Sequence, residues 1–128
     1  MRELSPADFE KICQEILSKS GFKRLRISGR NDDESFDGEC IFQENPLMRS
    51  DVLFRFKCEE RLIEAEEIKD FRRAMARRAD KGIFMTVGIF SADAKWEAQR
   101  GGVSPVALVD KEKLVRMMER FKIRIEAQ

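Results

Sequence analysis

Histidine and tyrosine are both absent from the 128 residues. Their absence excludes Ser–His and Cys–His nucleophile pairs, histidine-ligated metals and tyrosine-mediated phosphodiester transfer. Any hydrolysis must therefore use carboxylates, lysine or arginine, with a hard metal such as Mg²⁺ held by oxygens. No apolar run approaches the roughly 18 residues of a membrane-spanning helix, and no signal-peptide core is present, which gives the expectation of a soluble cytoplasmic protein. Charge of one sign is also lacking: the formal net charge is +1, so attraction to nucleic acid must come from local patches. Cysteine is sparse, at three residues with no CxxC spacing, as expected of reduced thiols rather than disulfides or a zinc site.

What is present is a chain of one domain, residues 1–128, with 42% hydrophobic and 38% charged residues, long enough to bury a core. Ser5 as N-cap, Pro6 at the first helical position and Asp8 in the first turn signal an opening helix. Phe9, Ile12, Cys13, Ile16 and Leu17 form its apolar stripe, and Gly21 ends it. Strands are expected at 22–28, where the broken alternation of Phe22, Leu25 and Ile27 reads as a slipped or bulged start, and at 36–43 and 50–58, with a polar loop at 29–35 and a break at Asn45-Pro46. A basic helix is expected over 60–79, then a buried strand at 83–87, a helix from Ser91 to Arg100, a strand at 106–109 and a last helix after Asp110. Ile123 and Ile125 could pair as a short edge strand. The order αβββαβαβα, a meander followed by βαβ units, predicts an α/β domain with a mixed central sheet flanked by helices. Trp96 on its Ala-rich helix reads as packing rather than as a base-stacking residue.

Strand alternation then groups the polar side chains. Asp37, Glu39 and Ile41 share one face of their strand, and Leu53, Arg55, Lys57 and Glu59 one face of the next. Phosphodiester cleavage without histidine needs a carboxylate on a divalent metal, an activated water and a cation to steady the phosphate. Asp37 and Lys57 suit the first and last of these roles. The same residues also suit an ordinary cross-strand salt bridge. Outside this cluster, Lys69, Arg73 and Arg77 on the basic helix, and Arg30 near the second strand, are candidate phosphate contacts; a solvated helix face is the plainer account of the first three.

Five segments in order resemble the Mrr-type restriction endonuclease catalytic domain of the PD-(D/E)XK nuclease superfamily. They are DFEKICQEILSKSGF (8–22), FDG (36–38), VLFRFK (52–57), KGIFMTVGIFSADA (81–94) and VALVDKEKLVRMM (106–118). The resemblance implies a restriction-endonuclease-like core and a DNA endonuclease dependent on Mg²⁺ or Mn²⁺, with no nucleotide cofactor. Asp37 would be the metal ligand, Lys57 the activating lysine, and Glu10 the first-helix glutamate that lies near the site. It also implies DNA as partner, a homodimer where both strands are cut, and a target-recognition domain elsewhere or on another chain. A role in repair or junction resolution is not separated from restriction. Arg55 departs from the pattern, which usually has Gln there, or Asp or Glu in the wider superfamily. A guanidinium has no acceptor for a metal. Either Arg55 clamps the scissile phosphate in an active variant, or it pairs with Asp37 in a catalytically degenerate DNA-binding or assembly module.

Overall fold

The Ser5 side chain accepts a hydrogen bond from the Asp8 amide at 3.1 Å, so α1 (Pro6–Lys19) begins where the capping signal places it. It belongs to a computed structural model describing residues 5–30, 35–102 and 105–124. The five stripe residues of α1 are all buried. Gly21, at φ 102°, then turns the chain into β1 (Phe22–Arg30). β2 (Ser35–Asn45) and β3 (Met48–Lys57) follow as a hairpin. The Asn45 side chain makes the turn by accepting from the Leu47 and Met48 amides at 2.8 and 3.0 Å.

The remaining elements are β4 (Leu62–Ile63), α2 (Ala65–Met75), β5 (Lys81–Thr86), β6 (Ile89–Phe90), α3 (Ala92–Gln99), a 3₁₀ turn (Arg100–Gly102), β7 (Val106–Val109) and α4 (Lys111–Phe121). The main sheet runs β1-β2-β3-β5-β7. β1 to β3 are antiparallel, and β3, β5 and β7 are parallel. Short turns permit the first arrangement, and helical crossovers permit the second. α1 and α4 cover one face, with Phe9, Ile16, Phe54, Phe56 and Leu114 in that core. α2 and α3 cover the other, around Leu53, Phe71, Phe84 and Ala94. β3 lies in the middle with both faces covered, which is why its alternation decides where Arg55 and Lys57 point.

The expected α/β fold and the order of its main elements are found. Four local features differ from expectation. The helix expected over 60–79 spans only Ala65–Met75, because a Glu64/Glu67 capping box starts it late and residues 62–63 enter β4. β4 and β6 pair in parallel as a separate two-stranded sheet, too short to leave a periodic signal. Lys122, at φ 57°, turns Ile123 back into the core instead of onto a sheet edge, and Ile125 lies outside the described residues. Trp96 is also not packed: it is 64% exposed, with the Arg100 guanidinium 5.7 Å from its ring centroid. No helix among the described residues is long and apolar enough to cross a membrane.

Candidate active site

Register places Asp37 of β2 directly opposite Arg55 of β3. Gly38 beside it is demanded by packing: a Cβ there would run into the Phe54 ring and the Arg26 carbonyl. Arg55 holds Asp37 with two parallel bonds, Nε to Oδ1 at 2.7 Å and Nη2 to Oδ2 at 3.0 Å. Its Nη1 donates to Oδ2 of Asp70 on α2 at 3.3 Å, and its Cζ lies 5.3 Å from the Phe71 ring centroid. The Arg55 side chain is 16% exposed and that of Asp37 24%. Burial alone would lower the Arg55 pKa. The hydrogen bonds and charge of Asp37, then those of Asp70, outweigh burial and hold it above the ordinary arginine value.

Lys57 sits two residues on, opposite Ser35, with a buried side chain. Its Nζ lies 3.7 Å from Glu67 Oε1 and 3.8 Å from Glu59 Oε1. Arg61 grips Glu67 through two further bonds at 2.8 and 2.7 Å. Burial raises the Glu67 carboxyl, but the Arg61 bonds, the Glu64 amide and the Lys57 charge together bring it below its usual range. Glu67 and Asp70 are the site residues that the sequence reading missed. They lie one turn apart on α2, facing the sheet, and the signal available for Glu67 was its capping-box spacing from Glu64.

Of the other candidates, Glu10 sits on α1, in the opposite helical layer. It accepts from Gln14 at 3.0 Å, and its charge, like that of Cys58, reaches Cys13. Lys69 and Arg73 are exposed on α2, and Arg77 is exposed in the turn after it. Only Arg73 of these three has an ion pair among the described residues, to Asp70 at 3.7 Å. The backbone of Arg30 closes β1, but its side chain lies outside the described residues. Arg72, on the same helix as Lys69 and Arg73, donates to the carbonyls of Glu97, Ala98 and Arg100 and so closes the C-terminal end of α3. Burial raises the thiol pKa of Cys13 well above its usual value and pushes that of Cys40 up to about 12, which removes both as nucleophiles at neutral pH.

A hard divalent cation needs about six oxygen ligands, some of them from water. Both Asp37 oxygens are engaged, and Arg55 offers no acceptor. Among the described residues no three Asp, Glu, Cys or His side chains converge to hold an ion. The arrangement in the free chain does not fit a metal.

The sheet order, the helical layers and the acid and lysine on adjacent strands define a restriction-endonuclease-like domain. Residues 1–118 match the Mrr catalytic-domain family of restriction endonucleases, and the chain belongs to that family. No curated protein matches the sequence. Among solved structures the fold is similar to the DNA modification-dependent restriction endonuclease AspBHI, with TM-score 0.57 and 16% identity over 89% of this chain and 31% of that one. It is also similar to the MspJI restriction endonuclease in complex with a 27-mer oligonucleotide, with TM-score 0.53 and 20% identity over 91% of this chain and 27% of that one. The chain thus spans less than a third of the length of these two proteins.

Proposed function

We propose that this domain hydrolyses DNA phosphodiesters as an endonuclease, with Asp37, Arg55 and Lys57 as its reacting centre. The observation that carries the reading is the register of β2 and β3, which brings the family's Asp-Gly strand beside its Lys-ending strand. Lys57 is a desolvated ammonium, stationed to steady negative charge that develops on a phosphate. Arg55 is the exchangeable part of the centre. Its fork of donors suits a phosphate as well as a carboxylate. In the free chain Asp37 and Asp70 fill that fork; a bound scissile phosphate takes their place and leaves the Asp37 carboxylate open. The Mg²⁺ or Mn²⁺ dependence implied by the family resemblance belongs to that DNA-bound arrangement. A homodimer cutting both strands, target reading by a separate domain or chain, and a cytoplasmic place of action complete the proposal.

A second reading is favoured by the two-pronged Asp37–Arg55 pair itself: the pair stays shut, and the domain is a DNA-binding or assembly module. Calorimetric titration of Mn²⁺ into the free chain, and into the chain on a 20-base-pair duplex, separates the two. Uptake only with the duplex supports exchange at Arg55. No uptake in either condition supports the shut site and overturns the proposal.

A further inference from the structure

Beside the reacting centre, on the same face of the sheet, lies an open cavity of about 370 Å³ lined by Arg24, Arg26, Glu39, Asp51 and Arg78 among others. Three arginines line it from two segments, Arg24 and Arg26 from β1 and Arg78 from the turn after α2. Glu39 holds two of them, Arg26 at 2.7 Å and Arg78 at 2.9 Å. Asp51 has its own partner in Arg49, at 3.8 Å. The three arginines therefore share one remaining carboxylate, and the cavity carries surplus positive charge.

The third arginine is where the backbone is irregular. The β1–β2 register shifts between Lys23 and Arg26, and Arg24 within that bulge has φ 57°, a left-handed conformation costly for a residue with a side chain. Bulges beside active sites commonly re-aim a side chain, and this one sets Arg24 at the rim of the cavity. Glu39 is two residues from Asp37 on the same strand face, roughly 7 Å along the strand. At about 3.4 Å of rise per nucleotide, that distance covers about two steps of one DNA strand.

We propose that this cavity is a backbone-phosphate subsite for the DNA strand flanking the reacting centre. Arg24, Arg26 and Arg78 are its contacts, and Glu39 is the internal counter-ion that orders two of them when no DNA is bound. The subsite deepens the function proposed above and rests on it only in that the polymer is DNA. All three arginines are exposed, so they can be replaced without opening the core.

The test is binding of a labelled 20-base-pair duplex by fluorescence anisotropy, with EDTA present so that cleavage plays no part, from 50 to 200 mM salt. Each phosphate contact contributes about 0.9 to the slope of log affinity against log salt, or about 3.5-fold over that range. Arg24→Gln/Arg26→Gln should lose two contacts, making the salt sensitivity about 12-fold smaller over the same range. Lys11→Ala, on the exposed side of α1, should leave the slope unchanged. Glu39→Gln, which removes the competing carboxylate, should tighten binding. Wild-type binding with an unchanged slope in the double variant, or weaker binding by Glu39→Gln, overturns the subsite alone. No wild-type binding at 50 mM salt overturns the subsite and the proposed function together.

Discussion

Replacing Arg55 by Gln is the perturbation with the most to say about the site. The guanidinium makes two bonds to Asp37 and one to Asp70, and its loss leaves Asp37 a partly buried carboxylate without its main partner. An exposed pair would contribute at most about 1 kcal/mol, whereas breaking a fully buried one costs about 3–5 kcal/mol. With side chains 16% and 24% exposed, this pair falls between those limits, and a loss of about 2–3 kcal/mol is expected. A chain of 128 residues has an unfolding entropy near 0.27 kcal/mol/K, so Tm should fall by roughly 7–11 °C. The freed Asp37, with Gln in the position the family usually gives it, should then accept a divalent ion. Mn²⁺ at about 100 times its Kd would return about 2.7 kcal/mol, comparable to the whole loss. Differential scanning calorimetry of both proteins, with and without Mn²⁺, reads these quantities. The double variant Asp37→Asn/Arg55→Gln should lose less than the sum of the single changes, by at least about 1 kcal/mol. An Arg55→Gln protein melting within about 2 °C of wild type, or one indifferent to Mn²⁺, would refute the reasoning.

Two further outcomes follow from the same geometry. The Glu67 carboxyl titrates below its unfolded value, so its contribution to stability is complete above the ordinary glutamate range and disappears as pH falls through the folded value. Glu67→Gln should therefore destabilise at pH 7 and converge on wild type in acid, as measured by urea unfolding from pH 7 to pH 3. Gly38→Ala should cost about 3 kcal/mol or more, because its Cβ meets the Arg26 carbonyl, which cannot move without disturbing the β1–β2 ladder. Chemical denaturation checks this, and a change under about 1 kcal/mol would show that the strand shifts freely.

The sequence was legible where one physical signal dominated. Ser5, Pro6 and Gly21 bounded α1, and its stripe is buried as the helical period required. Strand alternation put Asp37 and Arg55 on the same face of neighbouring strands, the family resemblance marked Arg55 as the departure from the pattern, and the register sets the two directly opposite. It was not legible where the deciding contact came from a distant element. Arg72 looks like any other cation of a basic helix, and only the packing of α2 on α3 turns it toward three carbonyl groups. Asp70 and Glu67 are polar residues on a charged helix until the sheet face beneath them is known. The bulge at the start of β1 was legible in the broken alternation of Phe22, Leu25 and Ile27, and the register shift between Lys23 and Arg26 bears it out; which residue within it takes the left-handed backbone, Arg24, was not legible, because that follows from pairing with β2. Trp96 misled in the other direction: its neighbours Ala94 and Ala98 are buried, but its own position on α3 faces solvent.

The central claim is that Asp37 and Lys57 cut DNA, and relaxation of supercoiled plasmid in Mg²⁺ or Mn²⁺ tests it most directly. Wild type should convert supercoiled plasmid to nicked or linear forms, and EDTA should stop it. Asp37→Ala and Lys57→Ala, confirmed as folded, should each lose at least about 100-fold in rate, as expected when a charge-stabilising group is removed. No nicking by wild type, or equal nicking by the variants, would contradict the account.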